Sequence, residues 1–280
     1  MKKISSLFLL MSLIYHPSIA DMQSHHQMKH PPLNAVMAKS PAIHLTIEKI
    51  VDKHDKKLVF FKLTDSTSNK PIHLNELKEV HTQKIHLLVI DDSLSDYSHA
   101  HPKATLEPGV YQFEWQPKRK NAIYRVWADI VPLKSNTQEY IIADLSPSKN
   151  FYTTLKITSK PFYESTVNGF QFKLTFDKTK LEVGKPAMGK IIVTDAQGNP
   201  IHTLEPVMGA FAHIVGFNDD LKTVVHMHPM GQEPNTAGAR GGPELQFHIE
   251  PGKAGFVKIF AQVKINGQEI FVPFGIVINS

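Results

Sequence analysis

The chain has 280 residues, no cysteine and a formal net charge of +5, with Lys/Arg and Asp/Glu interspersed. This excludes disulfide staples, thiolate metal ligation and lipid attachment through a cysteine. No basic block is present to hold a nucleic acid, so no such partner is expected.

Lys2 and Lys3 precede a mostly apolar run, Ile4–Ile14, and Ser18 and Ala20 fill the −3 and −1 positions of a cleavage site. Residues 1–20 therefore read as a secretory signal peptide. The apolar run is shorter than the roughly 20 residues a bilayer span takes. The expected product is a soluble periplasmic or secreted protein from Asp21, with no membrane span in the mature chain. Residues 21–42 lack a hydrophobic period and contain Pro31-Pro32, so they read as a disordered tail. Met22, His25, His26, Met28 and His30 crowd that tail. Imidazole and thioether are the soft-metal ligands left when thiolate is absent, which makes His25, His26 and Met28 candidate copper ligands. The competing reading is a polar tail that happens to hold histidines.

From Ile43 the chain becomes a series of short β candidates. The first group is Ile43–Val51, Lys57–Thr64, Ile85–Ile90, Val110–Trp115, Ile123–Ile130 and Tyr140–Leu145. After a Ser/Pro/Lys break at Ser146–Asn150 come Thr153–Ile157, Phe170–Phe176, Ala187–Thr194, Phe211–Phe217 and Thr223–His228. Leu245–Ile249, Gly255–Val263 and Glu269–Ile278 complete the series. Most alternate apolar and polar residues, and turn signals such as Asn69-Lys70-Pro71 and Asn266-Gly267 separate them. None keeps a 3.6-residue period. The expected fold is all-β, as two tandem immunoglobulin-like antiparallel β-sandwiches over residues 43–147 and 148–280.

The two halves share an order of matches. Thr64-Asp65 and Pro71-Ile72-His73 correspond to Thr194-Asp195 and Pro200-Ile201-His202. Tyr124–Ala128 corresponds to Val257–Ala261. Between these matches lies H-x12-H-x-H-P, once as His86, His99, His101 and once as His213, His226, His228. Such ordered similarity indicates duplication of one domain. The second copy adds a Gly-rich insertion, Gly231–Pro243.

The spacing suggests a hairpin. A turn tip at Asp219-Asp220 would set His213 opposite His226, with His228 two residues further along the same face. A tip at Asp92-Ser93 would do the same for His86, His99 and His101. Three imidazoles on one face suit copper, with zinc as the other ion. Met208 and Met230 could add a soft ligand in the second copy, which ranks that triad first. Met227 alternates to the opposite face. His81 occupies the place of Met208 in the first copy, and His248 lies on a strand near the second triad as a ligand or supporting partner. Against metal stands a structural role, since histidines before a proline can close a strand end through hydrogen bonds. The acidic residues near the triads, Asp91, Asp92, Asp219 and Asp220, are explained by turn chemistry. With no HExxH, GxSxG or P-loop, no enzymatic activity is expected.

Pro206–Val215, His226-Met-His-Pro229, Gly242-Pro243 and Phe256–Gln262 resemble a recurring module of secreted or periplasmic bacterial immunoglobulin-like domains. These modules carry an HxHP hairpin and often accompany copper-handling proteins. The resemblance covers most of the second copy and the first loosely. It implies a β-sandwich and copper association at His213, His226 and His228. The first copy departs from it with His81-Thr82 in place of Met208-Gly209. The expected function is an exported copper chaperone, buffer or resistance factor, whose partners are a metal ion and another periplasmic or outer-surface protein. A scaffold or adhesion-type pair with structural histidines is the rival.

Overall fold

The computed structural model describes residues 41–146, 160–231 and 233–280, all within one compact unit, Pro32–Ser280. The signal-peptide and tail readings, with His25, His26 and Met28, lie outside the described residues, as does the strand expected at Thr153–Ile157. The described residues are strands and turns with one short 3-10 turn, and they form two tandem immunoglobulin-like β-sandwiches. Among them no helix is long and apolar enough to cross a membrane.

The first sandwich holds β1 (Ile43–Lys53), β2 (Lys56–Asp65), β3 (His86–Asp91), β4 (Tyr97–Ala100), β5 (Lys103–Ala104), β6 (Val110–Trp115), β7 (Tyr124–Ile130) and β8 (Glu139–Asp144). Its sheets have strand orders β1-β2-β6-β5 and β4-β3-β7-β8. They enclose a core of residues such as Phe61, Leu87, Val89, Phe113 and Val126. The second holds β9 (Glu164–Val167), β10 (Phe170–Phe176), β11 (Leu181–Glu182), β12 (Ala187–Thr194), β13 (His213–Asn218), β14 (Val224–Met230), β15 (Glu244–Ile249), β16 (Gly255–Ile265) and β17 (Gln268–Asn279). These strands run in one continuous order, β11-β17-β16-β13-β14-β15-β12-β10-β9, that folds over its own core. The two sandwiches differ at β14. It crosses Pro229 unbroken and pairs with β15, whereas its counterpart is split by Pro102 into β4 and β5.

The strands β3 and β13 are buried along their whole length. Period-2 geometry sends Leu87 and Val89 into the first core and Ile214 into the second. The other faces, Leu88 and Ile90 on β3 and Val215 and Phe217 on β13, meet each other. Together with Leu94, Tyr97, Trp127, Val224, Phe256 and Phe260 they form a third core between the sandwiches. A constant offset of 127 residues relates Leu88 to Val215, Ile90 to Phe217 and Tyr97 to Val224. The same patch of each copy therefore faces the other, as in a two-fold dimer interface. Arg125 secures the junction. It forms an ion pair with Asp144, Nε to Oδ1 at 2.6 Å, and donates from Nη1 to the Leu221 carbonyl at 2.6 Å.

The hairpins differ from expectation by two residues. His226 stands opposite Val215 and His99 opposite Leu88, so the loops are four residues long, 92–95 and 219–222. The cause is the turn chemistry. Leu94 and Leu221 take left-handed backbone, φ 56° and 53°, and donate to the carbonyls of Asp91 and Asn218. Asp91 Oδ1 and Asp220 Oδ1 then each accept two backbone N–H groups, from Ser95 and Asp96 and from Lys222 and Thr223. A slip of two preserves the face of every side chain, whereas a slip of one would have reversed it.

Phe217 is fully buried against Tyr97 and Trp127, with ring centroids 5.3 Å from each. Phe217→Ala should remove about 3–5 kcal/mol of unfolding free energy in a urea titration. A loss below about 1 kcal/mol would mean the inter-sandwich core is not packed as described.

Candidate functional site

The histidines stand at one end of this inter-sandwich core. His86 opens β3 on the face of Leu88, and His99, opposite Leu88 on β4, points the same way. His101 follows two residues later. Their ligand nitrogens lie within 4.8 Å of one another. His86 Nδ1 is 3.1 Å from His99 Nε2 and 3.2 Å from His101 Nε2.

The remaining ring nitrogens fix the tautomers. His86 Nε2 lies 2.9 Å from the Val80 carbonyl, so it carries the proton and donates. His99 Nδ1 likewise donates to Gln262 Oε1 at 3.0 Å. Gln262 is oriented in turn by donating from Nε2 to Glu269 Oε2 at 2.8 Å. His86 Nδ1 and His99 Nε2 are therefore both unprotonated and face each other across 3.1 Å. Two lone pairs at that separation repel unless a cation lies between them. Metal–imidazole bonds of about 2.0 Å in tetrahedral geometry put nitrogens about 3.3 Å apart. A proton tied to a carbonyl on the far nitrogen is the usual support for a metal-bound histidine.

The electrostatics agree. Burial lowers His99 to about 3, aided by repulsion from His86. Burial and the same neighbour lower His101 to about 4. Burial also lowers His86, against the raising effect of its Val80 hydrogen bond. All three rings are neutral near pH 7, as metal ligation requires.

The second copy contributes to the same place. His213 is buried and opens β13 as His86 opens β3. Its ring stacks on His86 at 7° and 6.2 Å and lies 4.8 Å from the His99 ring. His81 approaches both His86 (6.3 Å) and His213 (6.1 Å). Five histidines from two domains thus share one cluster, where the sequence suggested one triad per hairpin. His226 contributes a backbone pairing with Val215, and its side chain lies outside the described atoms. His228 is partly exposed, opposite His248 on β15. Met227 is buried in the second core, on the face alternation predicts. Met208 has left-handed backbone in the Val207–Ala210 turn, as His81 has in the Val80–Gln83 turn. Met230 is half-exposed on β14, two residues beyond His228. Among the described residues, the three imidazoles whose ligand atoms converge are therefore those of the first copy.

Sequence reasoning missed Gln262 and Asp129. These residues sit opposite His213 and His86 in their sheets. Burial raises Asp129 to about 7, while hydrogen bonds from Gln138 and Tyr140 oppose the shift. Its signal in the sequence was a charged residue inside the apolar run Tyr124–Ile130.

These shifts set a pH dependence for the metal-free protein. A histidine lowered by folding binds fewer protons folded than unfolded below about pH 6.5. Its stabilising contribution is present above that pH and is lost as pH falls toward 4 and then 3. Asp129 acts oppositely: its contribution is present below the ordinary carboxylate range and is lost as pH rises through about 7. The three histidines outnumber it, so stability should fall on acidification from pH 6.5 to 4. His99→Ala should flatten that slope by about one proton, roughly 1.4 kcal/mol per pH unit, and Asp129→Asn should steepen it. Urea titrations of the chelator-treated protein between pH 4 and 7 measure both slopes.

No curated protein matches the chain. Solved structures resemble it weakly. MtrC from Shewanella baltica OS185 is 9% identical over 84% of this chain and 69% of its own, with a TM-score of 0.23. InvD from Yersinia pseudotuberculosis is 12% identical over 85% of this chain and 57% of its own, with a TM-score of 0.25. The D00-D0 domain of intimin is 10% identical over 85% of this chain and 100% of its own, with a TM-score of 0.24. The family model described as a domain of unknown function, DUF8832, matches residues 41–142 and 165–280. The chain belongs to the DUF8832 family.

Proposed function

We propose that this chain is an exported metal-binding protein that holds copper, with zinc as the competing ion, through His86 Nδ1, His99 Nε2 and His101 Nε2. The observation that carries this reading is the pair of unprotonated nitrogens on His86 and His99, 3.1 Å apart, with His101 Nε2 beside them. Both rings have their protons committed to carbonyl oxygens, so a proton shared between the pair does not explain the approach. An all-imidazole set suits both ions, and divalent copper stands above zinc in the affinity order for such ligands. The bound ion would be stored, buffered or passed to a partner in the periplasm. A tail carrying His25, His26 and Met28 would add a second, looser capture point. The role is binding and not catalysis, because Asp129, the buried carboxyl nearest His86 in the sheet, is already engaged by Gln138 and Tyr140.

Folding stability is the discriminating readout, because an ion captured by the tail would leave the sandwich unfolding unchanged. Copper(II) at a hundred times its Kd should raise the unfolding free energy of the wild type by about 2.7 kcal/mol. His86→Ala with His99→Ala should abolish the increase. Equal stabilisation of wild type and variant would overturn the assignment, and no stabilisation of either would favour the scaffold reading. The lowered pKa values add a second expectation. Copper affinity should stay within about threefold from pH 7 to 5, where ordinary histidines near pKa 6.5 would lose it steeply.

A further inference from the structure

The outer face of the second sandwich carries another set of soft ligands. His228 on β14 is directly opposed to His248 on β15, and His248 is directly opposed to Met188 on β12. Directly opposed residues share a sheet face, with Cβ atoms roughly 4.5–5.5 Å apart. Their sequence neighbours Met227, Phe247, Ile249 and Ala187 are buried in the second core. Alternation therefore turns His228, His248 and Met188 outward. Met230, two residues beyond His228, lies on the same face and is half-exposed. The register cannot slide, because the Phe247 ring lies over Gly189. A Cβ at Gly189 would come within 2.2 Å of that ring. The one cation in the adjoining row, Lys190, is paired with Glu244 at 3.3 Å.

We propose that His228, His248, Met188 and Met230 form a second metal site, specific for a soft monovalent d10 ion, copper(I) or silver(I). The two histidines are cross-strand neighbours, and each has a methionine beside it in the register: Met230 along the strand from His228, and Met188 across the sheet from His248. Thioether with imidazole favours copper(I) over zinc, calcium or magnesium. The site is separate from the His86–His99–His101 triad and does not depend on the triad's occupancy. The last β13–β14 pair is Ile214 with Met227, and His213 and His228 are one residue from it, so alternation sets both on the same sheet face. A surface soft-metal site would thus adjoin the buried imidazole cluster by one strand.

Silver(I) is a redox-silent probe, and methionine ε-methyl groups labelled with carbon-13 report each thioether separately. In the full mature chain, one equivalent of silver(I) beyond that taken by the tail should shift the methyl of Met188 or of Met230. The buried Met227 methyl should stay in place and report an intact sandwich. His228→Ala with His248→Ala should weaken the response at Met188 and Met230 at least tenfold. The same response should persist in the triple variant His86→Ala, His99→Ala, His101→Ala. Met188→Leu with Met230→Leu, a volume-conserving change on the outer face, should lower silver stoichiometry by one ion in native mass spectrometry. Silent Met188 and Met230 methyls, a response unaltered by loss of both histidines, or a response lost with the triad would each overturn this second site. The first two results would leave the triad reading standing.

Discussion

The histidine cluster depends on one constraint: β3 and β13 are buried on both faces. Each strand serves its own sandwich through one side and the other copy through the opposite side. Leu88, Ile90, Tyr97 and Trp127 from the first domain close on Val215, Phe217 and Phe260 from the second. Burying each such side chain is worth roughly 1.5–3 kcal/mol, so the junction is a core and not a wet contact between separate domains. Had the domains been joined only by a linker, His213 could not lie 4.8 Å from the His99 ring. The apolar junction holds the imidazoles together, and it also dries them. Burial is the first cause of the lowered pKa at His86, His99 and His101.

That dryness has a cost which the surrounding groups offset only in part. The Val80 carbonyl and Gln262 each accept one imidazole proton and so orient His86 and His99. They do nothing for the unprotonated nitrogens, which face one another. Asp129, the buried carboxyl in the neighbouring strand, is turned to Gln138 and Tyr140 instead. The Val80 carbonyl and Gln262 thus support the far sides of His86 and His99.

Much of the fold was readable in the sequence, because alternation in runs such as Phe170–Phe176 and Ala187–Thr194 is a local signal. The repeat was readable too, since duplication leaves matches in order. Faces were legible where exact partners were not. A two-residue error in hairpin register, caused by left-handed Leu94 and Leu221, left His86, His99 and His228 on the expected side. What sequence reasoning missed was the partner of that side. His86–Asp91 and His213–Asn218 read as near-continuous apolar runs, the signature of strands covered on both faces. Taken as ordinary sandwich strands, they hid the approach of His213 to His86 and His99. No local pattern specifies that one copy's outer face will cover the other's. The Met188–His248–His228 row was hidden for the same reason, since its paired members are 60 and 20 residues apart in sequence and meet only through strand pairing.

Duplication explains why the junction took this form. A domain with an apolar outer patch can bury it against its own copy, and once the copies are fused the contact no longer depends on concentration. Equivalent residues then approach one another around the pseudo-symmetry axis, which is why His86 stacks almost parallel on its counterpart His213. Fusion also frees the copies to diverge, which an exact dimer cannot do. His81 stands in one turn where Met208 stands in the other, and Asp129 where the second copy has Gln262. Gln262, held by Glu269, accepts a hydrogen bond from His99. The unequal halves give one supported pair of unprotonated nitrogens near the axis. The second copy, unlike the first, also carries a methionine, Met230, directly after the proline of its hairpin.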